Sequence, residues 1–232
     1  MNAKRILEQL MQQAGDGRRG KGDLQAMLDG LSTGRSGSAS APAAGGVDVK
    51  SLLGGGVLGL LVGSSRGRKL GGRALKYGAI AGIGVLAWKA WQSARQSASS
   101  EEAHEGRPME RLQGEAQERR SLALLQAMIM AARADGHIDE QERALITEQV
   151  DALGADADLH AWVERQLSAP LDALALARQA DSPQAAREMY LASVAVIDDQ
   201  NPMERAWLDQ LASSLGLDET MKTALEHQAL AT

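Results

Sequence analysis

The second half of the chain places apolar residues with the period of an α-helix. Between Met109 and Ala134, the apolar residues Leu122, Leu125 and Ile129 recur every three or four positions, so they fall on one face of a helix. The same spacing returns in the later segments, and none of them shows the two-residue alternation of a half-buried strand. The pattern therefore predicts an all-α domain.

Capping residues mark where most of these helices begin and end. Ser182-Pro183 joins a capping side chain to a proline suited to the first helical position, and Asn201-Pro202 repeats the device. Gly154 follows an apolar run, where helices commonly end. The predicted helices cover residues 109–134, 139–153, 158–167, 171–180, 183–197, 202–215 and 218–230. We expect a compact bundle of about seven short helices over residues 108–232.

Segments of different composition precede this domain. Residues 1–31 are weakly amphipathic, with Ile6, Leu7 and Leu10 at helical spacing. Residues 32–50 and 92–107 are rich in small and polar residues, which is typical of flexible linkers.

Residues 51–91 form a Gly-rich apolar segment. Glycines recur every four residues from Gly55 to Gly71, and this spacing lines one face of a helix with small residues. In water so much Gly lowers helix stability by about 1 kcal/mol per residue relative to Ala, whereas in lipid such a stripe packs against another helix. Residues 74–91 have a tyrosine near their beginning and Trp88 and Trp91 at their end, as in an interfacial aromatic belt. We expect a short membrane span or a two-helix glycine hairpin here.

The length of the apolar runs keeps other interpretations open. The runs at residues 52–63 and 77–88 each have 12 residues, whereas a full span needs about 20. A soluble Gly-rich collar and a segment that lies in the membrane interface remain alternatives. The connector between the runs carries Arg66, Arg68, Lys69, Arg73 and Lys76. By the positive-inside tendency, a single span after these residues would place the C-terminal domain in the periplasm.

Charge and composition limit the kinds of partner that the chain is expected to bind. Residues 1–100 hold 14 Lys and Arg against 5 Asp and Glu, whereas residues 101–232 hold 11 against 25. The chain has no Cys, which excludes disulfides, Cys nucleophiles and Cys-ligated zinc. With no Phe, two Tyr and four Trp, the basic half lacks stacking platforms for nucleic acid. The expected partner is a lipid bilayer, and nucleic acid is not expected.

Two acidic turns are the candidate ion site. Each precedes an apolar helix, and each has a Glu followed by an Arg early in that helix. Carboxylates gathered from two turns suit a divalent cation such as Ca²⁺ or Mg²⁺. The candidate metal ligands are Asp135, Asp139, Glu142, Asp198, Asp199 and Glu204. The alternative is that these residues only cap helices, because helix N-termini favour carboxylates.

Motifs of common enzymes are missing from the sequence. It contains no HExxH pair, no nucleophile elbow and no phosphate loop. His104, His137, His160 and His227 have no partner at metal-ligand spacing, so solvent-exposed histidines are expected. We therefore expect a protein that is not an enzyme.

Two stretches carry a family resemblance. MIMAARADGHIDEQERALI and MYLASVAVIDDQNPMERAWLDQLASSLGL resemble the TerB-like family of bacterial helical domains, closely over residues 121–228. With the Gly-rich residues 52–91, the chain is similar to bacterial inner-membrane proteins of the YebE type. The resemblance implies an all-helical bundle, a bacterial origin and no established catalysis. TerB itself is linked to envelope stress, and an acidic surface on it is proposed to bind a divalent metal.

Together these observations predict a membrane-attached interaction or scaffold module of the bacterial inner membrane, modulated by a cation. Its expected partners are the bilayer, an unidentified protein and a second copy bound through the Gly-rich helix. One alternative is a soluble helical adaptor that self-associates through the Gly-rich segment. The other is a metal-dependent enzyme.

Overall fold

The computed structural model describes residues 1–12, 82–94, 105–136, 138, 140–197 and 202–230. Residues 3–12 form helix α1. The other α-helices are α2 (Ile83–Ala94), α3 (Gly114–Ala132), α4 (Glu140–Ala152), α5 (Ala157–Ser168), α6 (Ala173–Ala177), α7 (Pro183–Val196), α8 (Pro202–Ser214) and α9 (Glu219–Leu230). A short 3-10 helix, Met109–Arg111, precedes α3. These residues contain no strand, so the predicted all-α class is confirmed.

Helix starts follow the capping residues closely. The Ser182 side chain accepts a hydrogen bond from the Ala185 amide, with proline at the next position, as predicted for α7. Helix α5 begins one residue before its predicted start, because the Asp156 side chain accepts a hydrogen bond from the Leu159 amide and caps the helix. The helix predicted from residue 109 divides into the 3-10 helix and α3, since the backbone between them is extended.

Helix α7 lies at the centre of the fold. Every residue from Gln184 to Val196 is buried, which marks a helix surrounded by others rather than one with a solvent face. Helices α3, α2, α9 and α8 all pack against it. Most of the methionines and aromatic residues of the domain lie in the same core, including Met128, Met189 and Tyr190.

Two helices from outside residues 108–232 complete this core. Helix α1 buries Ala3, Ile6, Leu7 and Leu10, which form one stripe. Helix α2 packs against α7 and α9. The helical domain therefore includes residues from the predicted amphipathic segment and from the predicted membrane segment.

The position of α2 changes the interpretation of residues 83–91. Its side chains Ile83, Ala87, Ala90 and Trp91 are buried in the core, so Trp91 is not at a lipid interface. Across the ranges that the structure describes, no helix has both the length and the apolar character to cross a bilayer. The remainder of the predicted membrane segment, residues 51–81, lies outside those ranges.

Candidate functional site

The first acidic turn, between α3 and α4, lies beside the start of α8. Gly136 has a φ of +76°, the left-handed conformation that glycine adopts readily at the end of a helix. A Cβ atom added at Gly136 would lie 4.0 Å from the Cε atom of Met203, which is in the first turn of α8. The first turn is thus adjacent to the helix that follows the second turn.

The described residues include only part of the predicted cation site. Asp135 and Glu204 are described, and both are partly exposed. Asp139, Asp198 and Asp199 lie outside the described residues, as does the side chain of Glu142. Within the described ranges, no three His, Asp or Glu side chains are grouped so that they could hold a metal ion. The cation site therefore stays a prediction.

A buried polar network surrounds the first half of α7. Arg120 of α3 donates through Nη1 to Oε2 of Glu188 over 2.5 Å, and both side chains are almost fully buried. A second nitrogen of Arg120, Nη2, donates to the carboxylate of Asp181 and, over 3.2 Å, to Oγ of Ser182. Arg120 thus joins α3 to both the start and the middle of α7.

The network continues to α2 and to the 3-10 helix. The side-chain Nε2 of Gln184 donates to the backbone carbonyl of Gly84 and to Oε1 of Glu188, each over 2.9 Å. The same Glu188 oxygen accepts from the Met109 amide over 2.9 Å, while the Gly84 amide donates to Glu110 over 3.0 Å. Gly84 has no room for a side chain, because a Cβ atom there would overlap Glu110 and approach Glu188. These contacts hold the first turn of α2 against α7.

Arg187 forms the third part of the network. It donates to Glu105 over 2.7 Å and to Oε1 of Gln184 over 3.0 Å, and its guanidinium lies 5.5 Å from the centre of the Trp91 ring. A cation over an aromatic face is a favourable contact, most of all where water is excluded. Arg187 therefore ties the end of α2 and the segment before the 3-10 helix to α7.

The buried polar network has a structural role, because it holds helices in place. Burial raises the pKa of the Glu188 carboxyl, and the Arg120 guanidinium opposes that shift. Both Glu188 oxygens already accept hydrogen bonds from protein groups, so the carboxyl is held in place by α3, by the 3-10 helix and by Gln184 of α7 itself. Sequence reasoning missed this network. The signal was three polar residues, Gln184, Arg187 and Glu188, at helical spacing in a segment that is otherwise mostly apolar.

A second polar cluster joins α7, α8 and α9. The hydroxyl of Tyr190, a fully buried residue, donates to Glu226 over 2.6 Å, and Arg205 contacts the same carboxylate over 3.0 Å. Burial, together with the Glu226 carboxylate, raises the pKa of Tyr190, so the phenol stays protonated and acts as a donor. Lys222 and Asp209 add an ion pair of 2.9 Å between α9 and α8.

The N-terminal helix is anchored by polar contacts as well as by its apolar stripe. The Glu118 carboxylate of α3 accepts from the backbone amides of Ala3 and Lys4 over 2.6 and 3.1 Å, so it caps α1 from another helix. Asn2 donates to the Gly154 carbonyl over 2.8 Å and accepts from the Asp156 amide over 3.1 Å. Residues 1–12 are therefore docked at a defined position on α3 and the α4–α5 turn.

Of the four histidines, His160 differs from the expectation of a lone exposed ring. Its Nδ1 atom lies 2.7 Å from Asp151, and Nε2 lies 3.6 Å from Glu164 on the same helix. The Asp151 carboxylate, the main cause, raises the pKa of the imidazole. The ring is partly exposed and contacts two carboxylates.

Comparison with known proteins places the chain in a family. A family model described as a protein of unknown function, DUF533, matches residues 48–229. An uncharacterized protein from the ampR 5′ region of Yersinia enterocolitica is 32% identical over 103 residues, which cover 44% of this chain and 74% of that relative. No solved structure matches the chain. Since the match spans most of the sequence, the chain belongs to the DUF533 family, a family of TerB-like domains.

Proposed function

We propose that the protein is a non-enzymatic, membrane-attached helical module of the bacterial envelope that serves as an interaction or scaffold domain. The observation that carries the proposal is the start of α2. This helix begins at Ile83, directly after the Gly-rich, basic and apolar stretch of residues 51–81. A domain attached there has no spacer between its folded part and the stretch that is proposed to meet lipid.

The outer face of α2 supports the same proposal. Val85 is 57% exposed, Leu86 and Trp88 are partly exposed, and Lys89 is also on the solvent side. Apolar side chains with a nearby lysine suit the boundary between headgroups and acyl chains. Val85 and its partly exposed neighbours Leu86 and Trp88 thus offer an apolar face that could insert into the lipid boundary.

An interaction role agrees with the way the domain uses its charged residues. The buried groups Arg120, Arg187 and Glu188 hold helices together. In total, residues 101–232 hold 25 Asp and Glu against 11 Lys and Arg, and this acidic excess suits a basic protein partner. The likeness to inner-membrane proteins of the YebE type, an inner-membrane location and self-association through the Gly-rich helix belong to the proposal.

Vesicle flotation of the full chain tests the membrane attachment. We expect the chain to float with vesicles of anionic phospholipid and the Val85→Asp variant to float less, since a carboxylate at that position opposes both apolar insertion and the lipid charge. Leu145→Asp is the matched control, because Leu145 is another exposed apolar residue, 40% exposed, on α4. A wild-type chain that stays with the lipid-free fraction would reject the attachment. If the same sample also sediments as an oligomer, the soluble self-associating adaptor replaces it.

The cation component is tested by thermal denaturation of the full chain. If the two acidic turns hold Ca²⁺ or Mg²⁺, millimolar ion should raise the melting temperature. At an ion concentration tenfold above the dissociation constant, the free energy of unfolding should rise by about 1.4 kcal/mol. The paired substitution Asp135→Asn with Glu204→Gln should remove that increase. Identical wild-type curves in ion and in chelator would leave helix capping as the role of these carboxylates.

A further inference from the structure

Two arginines from different helices meet at the last turn of α5. Arg133, the residue that ends α3, donates through Nη1 to the backbone carbonyl of Gln166 over 2.8 Å. Arg143 of α4 donates through Nη1 to Oγ of Ser168 over 3.0 Å. Gln166 and Ser168 are two residues apart in the last turn of α5, so the two guanidinium groups lie close together there.

The positive charge of this arginine pair is not balanced by a described carboxylate. Three other buried or partly buried arginines of the domain, Arg120, Arg187 and Arg205, each form an ion pair with a carboxylate. Arg133 is also partly buried, yet within the part of the chain that the structure describes neither Arg133 nor Arg143 has such a partner. Burial, followed by the positive charge of Arg143, lowers the pKa of Arg133. The two groups are therefore near enough to repel each other.

The end of α5 supplies only part of the missing negative charge. The C-terminus of a helix carries about half an elementary negative charge, whereas two guanidinium groups carry two full positive charges. The Glu164 side chain, one turn before Ser168, lies 3.6 Å from Nε2 of His160. Each guanidinium has five N–H donors, and its contact with α5 uses one of them. Capping of α5 thus leaves both positive charge and hydrogen-bond donors available.

We infer that Arg133 and Arg143 form a binding site for a phosphate group beside the last turn of α5. Guanidinium groups hold phosphate oxygens through pairs of charge-assisted hydrogen bonds, and a tetrahedral phosphate can accept from two of them at once. A phosphate dianion would also neutralise the two positive charges. The phosphate group belongs either to a soluble phosphomonoester or to the headgroup of a lipid such as phosphatidic acid.

Thermal denaturation of the full chain tests this site with inorganic phosphate as the probe. The melting temperature is measured in sodium phosphate and in sodium chloride of equal ionic strength, both free of divalent cations. We expect phosphate to raise the melting temperature of the wild-type chain, because it binds the native state. The paired variant Arg133→Gln with Arg143→Gln should lose that increase. The measured quantity is the difference between the two salts, so a general loss of stability in the variant does not imitate the result.

A matched pair of substitutions controls for net charge. Arg119→Gln with Arg178→Gln removes the same charge from two exposed positions, one on α3 and one directly after α6, and it should keep the full phosphate-dependent increase. Arg143→Gln alone changes an exposed residue and should reduce the increase, which covers the case in which the paired variant at the site does not fold.

Two results would overturn the inference. One is a wild-type melting temperature that is the same in phosphate and in chloride. The other is a phosphate-dependent increase that Arg133→Gln with Arg143→Gln retains in full.

Flotation on vesicles that contain phosphatidic acid distinguishes the two sources of the phosphate group. If the site takes a lipid headgroup, the paired variant at the site should float less than the charge-matched control pair. Equal flotation of the two variants, together with the phosphate-dependent increase, assigns the site to a soluble phosphomonoester. A wild-type chain that shows the increase but does not float on any vesicle would reject the membrane attachment and keep the phosphate site.

Discussion

At the scale of single residues, Arg120 and Glu188 show how polar groups organise this core. A buried ion pair is seldom a large net source of stability, because removing two charges from water costs nearly as much as their attraction returns. Its partners give it a different role: Glu188 also accepts from the Met109 amide and the Gln184 side chain. The pair therefore fixes where α3 and the 3-10 helix sit on α7, and Gln184 extends the network to α2 through the Gly84 carbonyl.

Removing Arg120 should be costly, whereas removing its neighbour should not. Arg120→Ala leaves the Glu188 carboxyl buried without its charged partner, and we expect the free energy of unfolding to fall by about 3–5 kcal/mol. Arg119→Ala is the matched control, since Arg119 is exposed and pairs with Glu115 one turn away over 2.8 Å. Its loss should cost about 0.5 kcal/mol or less. Urea denaturation measures both, and equal losses would mean that the buried pair has no special role.

At the scale of helices, the predictions from sequence succeeded where a local signal existed. Ser182-Pro183 fixed the start of α7, because a side-chain cap and a proline act within one turn of the chain. They failed for α2, since an apolar helical stripe has the same spacing whether it faces lipid or a protein core. Only the three-dimensional contacts of Trp91 with Arg187 show which environment it has.

Three of the six predicted ion ligands, Asp139, Asp198 and Asp199, lie outside the described residues.

The close packing of α2 gives a prediction that is opposite in sign to helix propensity. Ala stabilises a solvated helix by about 1 kcal/mol relative to Gly. Gly84→Ala should instead lower the free energy of unfolding by about 1–3 kcal/mol, because the added methyl overlaps Glu110 and crowds Glu188. Val85→Ala, one residue along on the exposed side, is the control and should change stability little. A stabilised Gly84→Ala protein, measured by urea denaturation, would show that α2 does not pack in this way.

The docking of α1 makes Leu7 part of the core of the helical domain, although about 100 residues separate it from residue 108. Leu7 is 2% exposed, so Leu7→Ala should lower the free energy of unfolding by about 2–5 kcal/mol. The same substitution at Leu145, which is 40% exposed, removes little buried surface and serves as the control. If the two variants have the same denaturation midpoint, α1 is not docked in solution.

At the scale of the whole molecule, the basic part of the sequence lies between two helices of the folded domain. The basic, Gly-rich residues 51–81 are inserted between α1 and α2, two helices of one folded domain, rather than attached to its end. Under the proposed function, membrane binding and folding are separable properties: the domain holds α1 and α2 together, and the inserted stretch is the part proposed to contact lipid. Without α1 and α2 the remaining helices lack part of their core, so a fragment that begins at residue 107 should be less stable than the full chain.

The central claim is that an inserted stretch of a folded helical domain makes the membrane contact, and one exchange tests it. Residues 51–81 are replaced by a flexible Gly-Ser sequence of the same length, and the variant is compared with the wild-type chain in flotation on anionic vesicles and in urea denaturation. The account predicts that the wild-type chain floats, and that the exchanged chain keeps the wild-type denaturation midpoint but no longer floats. An exchanged chain that still floats as well as the wild type, or one that no longer folds, would contradict it.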